Sequence, residues 1–378
     1  MDRSDLSLRA ENIYALSLAG ITDPVNQLLF LSDIPPSVSS PTTFPSHKFA
    51  LVDHNQLGAR YSSPPSTVTA IFDHHADEKG HLSANPRVIA PAGSCASHVT
   101  QYLASSVSSE DETKFDIPSE LATLLMCAIS IDTNALKPKG KALPVDYSAA
   151  FHLLPRSLLA SAVEGLLPPS LSDGDLDANQ QEQIHAIPAL QELTNTLSSK
   201  KSDLSRLSTY DIIRRDYKEY TYGVLLSSSA SEEVDVKAGL TSVPLPLQAE
   251  WSEDNRLLNS AEDWMTTRSL SILGILTSFR GEKSSEKHGK GKHKREMAWF
   301  VRSPSGSEAD LDALAEKLFA GLETGSEELG GLKEHKQFEI ELGGRSDLRV
   351  RVYKQKSADV TRKGVAPLLE KVLTGQKS

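Results

Sequence analysis

The chain has 378 residues and a formal net charge of −10, with 39% hydrophobic and 24% charged residues. These values are ordinary for a globular protein with room for two domains, and the acidic balance argues against general nucleic-acid binding. No apolar stretch approaches the roughly 18–20 residues that span a bilayer, and the start of the chain lacks the apolar core of a signal peptide. Because only Cys95 and Cys127 are present, we expect a reducing compartment, with the cytoplasm as the simplest interpretation.

The first half of the chain alternates predicted helices with short apolar strands. An apolar stripe predicts a helix over residues 6–20, and a second helix is predicted to open at Gly93-Ser94-Cys95. Strands are predicted at residues 28–31, 49–52, 68–72 and 88–90, with a Pro/Ser/Thr-rich loop at 35–47. The apolar run 118–131 predicts helix running into a strand that ends on Asp132. This alternation predicts an α/β domain with a mostly parallel sheet and flanking helices.

The pattern changes near residue 166, and we predict a first domain over 1–165, a connector over 166–205 and a second domain over 206–378. Strands of the second domain are predicted at 220–226, 270–277, 297–301 and 348–353, and helices near 308–322 and 364–374. These elements predict a smaller α+β domain with a mixed sheet. A Gly/Lys-rich loop at 280–295 is interpreted either as a solvated surface loop or as a guide for an anionic chain.

Three predicted strands of the first domain end on residue types that commonly serve as metal ligands. They end on Asp53, on Asp73-His74-His75 and on Asp132. The carboxyl ends of parallel strands are where open α/β sheets bind their ligands. Carboxylates with imidazole suit Mn²⁺, Mg²⁺, Fe²⁺ or Zn²⁺, and a pair of such ions clamps phosphoryl oxygens. Each feature also has an ordinary interpretation, because a His-His pair is common in surface loops and an Asp after an apolar run is common in turns.

Several motifs, taken in order, resemble the successive signatures of the DHH phosphoesterase superfamily. In the first half they are Leu-Val-Asp-His-Asn at 51–55, Phe-Asp-His-His at 72–75, Gly-Ser-Cys-Ala-Ser at 93–97 and Ile-Ser-Ile-Asp-Thr-Asn at 129–134. In the second half they are Asp-Tyr-Lys-Glu-Tyr at 216–220 and Thr-Arg-Lys-Gly-Val-Ala-Pro-Leu-Leu at 361–369. The whole chain is most similar to the fungal cytosolic exopolyphosphatases, which are related to family II inorganic pyrophosphatases and to the prune proteins.

The resemblance implies a DHH domain followed by a DHH-associated substrate-binding domain, with a two-metal site for Mn²⁺ or Mg²⁺. It implies Asp53, His74 and Asp132 as metal ligands, and it implies that His75, Lys218 and Arg362 contact the substrate phosphates, with Lys363 as a further candidate. The activity it implies is hydrolysis of the terminal phosphoanhydride bonds of inorganic polyphosphate, with pyrophosphate as the alternative substrate. It predicts no oligomeric state.

One expected motif has no counterpart upstream of Asp53. The family begins with a strand that leads to Asp-x-Asp, which supplies further metal ligands. Asp-Gly-Asp-Leu-Asp at 173–177 has similar letters, but it lies in the predicted connector, so we interpret it as a turn and helix cap. Without the first strand the two-metal site is expected to be incomplete and a sheet edge exposed. Two interpretations stay open: a truncated version of an active enzyme, and a catalytically impaired protein that keeps the phosphate-binding cleft.

Overall fold

The computed structural model describes two compact units, Met1–Asp203 and Leu204–Ser378. The described residues are 2–34, 44–58, 61–62, 65–105, 116–167, 176–226, 232–281, 291–336, 338 and 340–375. Parts of the predicted loops at 35–47 and 280–295, namely residues 35–43 and 282–290, lie outside the described residues.

A small parallel sheet organises the first unit. Its strands are β1 (Lys48–Val52), β2 (Thr67–Asp73) and β3 (Arg87–Ile89), in the order β1-β2-β3. Val52 lies opposite Phe72, and Asp73 lies opposite Ile89, so the carboxyl ends of the strands meet at one edge. Within the described residues β1 pairs only with β2, on one of its two sides. The three predicted strands at 49–52, 68–72 and 88–90 are therefore confirmed.

Helices supply most of the core of the first unit. They are α1 (Ala10–Leu18), α2 (Pro24–Gln27), α3 (Cys95–Ser105), α4 (Ser119–Thr133), α5 (Pro144–Leu153), α6 (Ala160–Val163), α7 (Ala178–His185) and α8 (Pro188–Ser202). The helix α4 packs against α1, α3, α5 and α8. Helix α1 is shorter than the predicted helix at 6–20, because a 3₁₀ turn at Arg3–Leu8 precedes it.

The strand predicted at residues 28–31 is wrong. The backbone at Phe30 is extended, but its N–H donates to the Asp33 carboxylate, and a 3₁₀ turn begins at Leu31. Leu29 is 95% exposed, which a buried strand would not allow. An apolar run of four residues predicts a strand only if a neighbouring strand pairs with it, and none of the described strands does.

The strand predicted to end on Asp132 is also wrong, because helix α4 continues through that residue to Thr133. Ala122, Met126 and Ile129 are fully buried at helical spacing. Four helices surround α4, so apolar residues are needed on most of its sides and no helical period is visible in the sequence. Asp132 therefore lies in the last turn of a helix.

The segment predicted to connect the domains folds with the first unit over its described part. Helices α7 and α8 bury Ile184, Leu190 and Leu197 in the same core as α4. Asp177, at the end of the Asp-rich segment 173–177, caps α7 by accepting hydrogen bonds from Asn179 and Gln180. The cap is thus confirmed, whereas residues 173–175 lie outside the described residues.

The second unit is built on a seven-stranded mixed sheet. Its strands are β4 (Tyr217–Val224), β5 (Val234–Val243), β6 (Ile272–Thr277), β7 (Phe279–Arg280), β8 (His293–Arg302), β9 (Leu332–Glu334) and β10 (Leu348–Gln355). The order is β4-β5-β6-β8-β10-β9, and β7 pairs with β8. Only β5 and β6 run parallel; the other pairs are antiparallel. The predicted α+β class with a mixed sheet is confirmed.

Helices cover both faces of this sheet. They are α9 (Thr209–Arg215), α10 (Arg256–Arg268), α11 (Glu308–Thr324) and α12 (Arg362–Thr374). Helices α11 and α12 share one core with Ile272 and Leu276 of β6, and α9 and α10 share the other core with Leu273 and Ile275. Because side chains of a strand point alternately to its two faces, every residue of β6 is buried.

The predicted elements of this unit agree with β4, β6, β8, β10, α11 and α12. Strand β5 and helix α10 were not predicted. No helix of the described residues in either unit is both long and apolar enough to cross a membrane.

Candidate metal centre

Asp53 is the first residue beyond β1, at the edge where the parallel strands end. Its backbone N–H donates to the carbonyl of Phe72 at 2.9 Å, which continues the ladder between β1 and β2. Its φ of +62° lies in the left-handed region, which aspartate adopts more readily than most residues. The chain therefore turns sharply here, and the Asp53 side chain is left 55% exposed.

Asp73, the last residue of β2, is fully buried and organises the two histidines that follow it. One carboxylate oxygen accepts the Nδ1–H of His75 at 2.7 Å and the backbone N–H of His74 at 2.8 Å. The other oxygen accepts from the Asn55 amide. Burial acts to raise the pKa of Asp73, but the hydrogen bonds from His75 and Asn55 outweigh it, so its pKa lies below the ordinary value.

His74 directs one ring nitrogen toward Asp53. Its Nδ1 lies 3.0 Å from the carbonyl oxygen of Ala92. Since a carbonyl oxygen only accepts, Nδ1 must carry a proton, and in the neutral ring the lone pair lies on Nε2. That Nε2 is 3.2 Å from Oδ1 of Asp53. Two atoms bound to one ion at about 2.1 Å and at right angles stand about 3.0 Å apart, so this pair fits a divalent cation.

His75 completes the group but uses its nitrogens differently. Its Nδ1 is held by Asp73 and lies 4.0 Å from Oδ1 of Asp53. The side chain is half exposed, and Nε2 is the nitrogen left for an external partner. Asp53, His74 and His75 form the one group of three or more possible metal ligands found in the described part of the chain, with ligand atoms within 4.8 Å of one another.

Asp132 is not a member of that group. Its Oδ2 accepts a 2.7 Å hydrogen bond from the hydroxyl of Ser94. Burial raises the pKa of the Cys95 thiol to about 11, and the charges of Asp53, Asp73 and Asp132 add to that effect. Ser94, at the predicted opening of the helix, holds the Asp132 carboxylate with its hydroxyl.

Two buried polar residues near the site were not identified from the sequence. Asn55 donates to Asp73 and to the carbonyl of Ala76, and it accepts from the backbone N–H of Glu78. Its place at the end of the Leu-Val-Asp-His-Asn motif at 51–55 was the available signal. The other residue is Asp146, which binds the Gly93-Ser94 turn and which the sequence presents as an ordinary acid in the first turn of α5.

The predicted phosphate-binding residues belong to the second unit. Arg362 is the first residue of α12 and donates to the backbone carbonyl of Asp216 at 2.6 Å and to its carboxylate at 3.0 Å. Lys218 is exposed on β4, a strand that packs against α12, and Lys363 is exposed beside Arg362. Lys218 and Arg362 thus lie on neighbouring elements of the same unit.

Comparisons with known proteins find one matching domain family and similar proteins named as exopolyphosphatases. Residues 195–372 match the DHHA2 domain family. The chain is 31% identical over 223 residues to the Schizosaccharomyces pombe protein named "Putative exopolyphosphatase", covering 58% of this chain and 50% of that one. It is 25% identical over 246 residues to mouse "Exopolyphosphatase PRUNE1", covering 64% of this chain and 46% of that one.

The chain spans about half the length of these curated relatives. A solved structure, the "putative family II inorganic pyrophosphatase" of Methanococcus jannaschii, aligns over 97% of this chain and 88% of its own length. Its TM-score is 0.47 and its sequence identity is 17%.

Proposed function

We propose that this chain is an exopolyphosphatase-like member of the DHH superfamily and that it hydrolyses the terminal phosphoanhydride bonds of inorganic polyphosphate, releasing orthophosphate. The proposal is supported by the DHHA2 match over residues 195–372 and by the similarity to the two proteins named as exopolyphosphatases. We propose that the reaction depends on Mn²⁺ or Mg²⁺. The observation that carries the proposal is the Asp53–His74–His75 group at the carboxyl ends of β1 and β2. Both cysteines are free and buried, which supports the cytoplasm as the compartment.

Asp53 and His74 are the residues that would hold the ion. The lone pair of His74 Nε2 and an oxygen of the Asp53 carboxylate face each other, and a cation between them satisfies both. The bond from His74 Nδ1 to Ala92 fixes the ring orientation and the tautomer. A bound divalent ion supplies Lewis acidity toward phosphoryl oxygens. Asp132 is the proposed further ligand, its carboxylate being held by Ser94.

His75 is proposed to act on the substrate rather than on the ion. The Asp73 carboxylate accepts the Nδ1–H of His75, so Nε2 donates a hydrogen bond or a proton to a phosphate oxygen only when the ring is in its protonated, imidazolium form. This is the arrangement of an acid that acts on the leaving phosphate, with Asp73 fixing the ring.

Lys218 and Arg362 are proposed to bind the phosphates of the chain, with Lys363 as a further contact. Arginine offers a planar pair of donors that matches a phosphate, and lysine acts as a point charge. Asp216 holds the Arg362 guanidinium through two hydrogen bonds, so its orientation is set before substrate binds.

The test is orthophosphate release from polyphosphate of defined length, with Mn²⁺ or Mg²⁺ and with pyrophosphate as the parallel substrate. We expect release from polyphosphate by the parent chain and none from His74→Ala. His47→Ala is the matched control, because His47 is exposed just before β1, at the opposite end of the strand from Asp53. Faster release from pyrophosphate would identify a pyrophosphatase, and no release from either substrate would reject hydrolysis.

A second candidate function is phosphate binding without turnover. It is favoured by the number of ligands, because the group offers three ligand atoms and Asp132 is not among them. Calorimetric titration of the chain with polyphosphate, in parallel with Arg362→Ala, tests it. Binding that Arg362→Ala weakens, together with no orthophosphate release, would support this candidate. Equal affinity of the two proteins would reject it.

A further inference from the structure

The carboxylate of Asp146 is fully buried at the start of α5 and binds the turn that precedes α3. One oxygen accepts the backbone N–H groups of Gly93 at 2.7 Å and Leu143 at 2.8 Å. The other oxygen accepts the backbone N–H of Ser94 at 3.1 Å and the hydroxyl of Ser97 at 2.6 Å. Four donors from two separate segments of the chain therefore converge on one carboxylate.

All four donors are neutral, and the described residues include no ion pair to this carboxylate. A buried carboxylate is costly unless its oxygens are satisfied by hydrogen bonds, so its four partners must keep a fixed geometry. The Leu143 N–H is a helix-cap bond that many acids in a first turn make. The bonds to Gly93, Ser94 and Ser97 join residues about 50 positions apart in sequence and go beyond capping.

The Gly93 position shows how closely the turn packs on the end of α4. A Cβ added at Gly93 would lie 2.6 Å from Cγ2 of Thr133 and 2.8 Å from both the Lys141 carbonyl oxygen and the Asp146 carboxylate. Only glycine fits there without a shift of the backbone. Thr133 is the residue after Asp132, so the Gly93-Ser94 turn packs directly beside the candidate ligand Asp132.

Ser94 connects the two carboxylates. Its backbone N–H is fixed by Asp146, and its hydroxyl donates to Oδ2 of Asp132. With Oδ2 occupied, Oδ1 is the oxygen of Asp132 available to a cation. We propose that Asp146 is a positioning residue that acts through Ser94 to hold the Asp132 carboxylate in the orientation that binds the divalent ion. This inference rests on the proposed metal-dependent function, with Asp132 as a ligand.

Two serines at the start of α3 provide a matched pair for the test. Both are buried, and both donate to Asp146, but only Ser94 contacts Asp132. Mn²⁺ affinity is measured by calorimetry and by the electron paramagnetic resonance of free Mn²⁺, and unfolding by urea is measured without metal. We expect Ser94→Ala to weaken Mn²⁺ binding by about 10–100-fold, the effect of losing an outer-shell partner. Ser97→Ala should change it by less than about threefold, because Asp146 keeps three donors.

The proposed series of contacts from Asp146 through Ser94 to Asp132 is tested by a double-mutant cycle. Asp146→Asn alone should weaken Mn²⁺ binding at least about tenfold, but in the Ser94→Ala background it should add little, because the connection is already broken. Additive losses of Mn²⁺ affinity would overturn the proposed action of Asp146 through Ser94. Equal Mn²⁺ affinities of Ser94→Ala and Ser97→Ala would overturn it too. If Asp146→Asn does not fold, the serine pair alone decides. A parent chain that binds no Mn²⁺ would overturn the proposed metal centre together with this inference, whereas a binding parent with an unaffected Ser94→Ala overturns only the inference.

Discussion

The two units use their sheets in opposite ways. Over the described residues, the sheet of the first unit has three strands, with β1 paired on one side only, and a small apolar cluster around Val68, Ile71 and Ala84. The sheet of the second unit has seven strands with a helical layer on each face, and its central β6 is buried throughout. The candidate ligands Asp53 and His74 lie at the carboxyl ends of the strands of this small sheet.

This difference indicates that apolar packing stabilises the sheet of the second unit, whereas the strand ends of the first unit carry the groups proposed for the chemistry. A strand buried on both faces cannot present charged side chains without a large desolvation cost, whereas the end of an exposed parallel sheet can. Hydrogen bonds orient both histidines of the site, from His74 to the Ala92 carbonyl and from His75 to the Asp73 carboxylate. We therefore expect substitutions in the two units to separate stability from metal binding.

The largest expected effect on stability is in the core of the second unit. Trp299 of β8 is fully buried, and Trp299→Ala should cost about 3–5 kcal/mol in the free energy of unfolding of that unit. The Mn²⁺ affinity should not change. Urea unfolding followed by circular dichroism measures the first quantity, and calorimetry measures the second. Trp299→Phe is the milder control, since it keeps an aromatic ring and removes an indole N–H that finds no hydrogen-bond partner among the described residues. Loss of Mn²⁺ binding in folded Trp299→Ala would contradict the separation of stability in the second unit from metal binding in the first.

At His74 we expect the converse, a large loss of Mn²⁺ affinity with little change in stability. His74→Ala should weaken Mn²⁺ binding by at least about 100-fold, because losing even an outer-shell partner costs about 10–100-fold. Its unfolding in urea without metal should differ little from that of the parent, since the ring is partly exposed. Calorimetry of His74→Ala beside His47→Ala measures this. Equal Mn²⁺ affinity in both variants would exclude His74 as a ligand.

Acid should act on the first unit through Asp73. Its pKa is lowered in the folded protein, so its stabilising contribution is complete above the ordinary carboxyl pKa near 3.8 and is lost as the pH falls through the folded value. The parent should lose stability between pH 5 and acid pH more steeply than Asp73→Asn, whose amide does not titrate. Unfolding of the first unit at a series of pH values checks the difference. Parallel curves for the two proteins would contradict it.

The smallest expected effect is on thiol reactivity, which reports on the first unit alone because both cysteines belong to it. Burial raises the pKa of Cys95 to about 11 and that of Cys127 to about 12. At pH 8 both should react slowly with an aromatic disulfide reagent unless the first unit opens. In urea we expect labelling to become fast before the second unit unfolds. Fast labelling of the native chain would show that this unit is open without denaturant.

The sequence predicted the parts of the fold that depend on local pattern. Strand β6 is almost entirely apolar and was predicted. Strand β5 was not predicted, although Val234, Val236 and Ala238 alternate with the polar residues Asp235 and Lys237 as in a half-buried strand. The helix α4 was misread near Asp132 because burial on several sides removes the helical period. The error at residues 28–31 is the opposite one, because a strand was predicted where none forms. Phe30 is apolar and its backbone is extended, but no described strand pairs with its segment.

The candidate site was predictable to the extent that strand ends converge. Asp53 and His74 follow neighbouring parallel strands, and the structure brings them together. The roles of Asn55 and Asp146 depend on contacts between distant segments, which no local pattern encodes. The contribution of Lys218 and Arg362 to the site stays a prediction.

The most direct test of the metal centre is pulsed electron paramagnetic resonance of the Mn²⁺-loaded chain. Coupling of Mn²⁺ to an imidazole nitrogen should appear in the parent, disappear in His74→Ala and persist in His75→Ala, because only His74 directs a bare ring nitrogen at Asp53. A parent spectrum with no imidazole coupling, or one that His74→Ala leaves unchanged, would contradict the account.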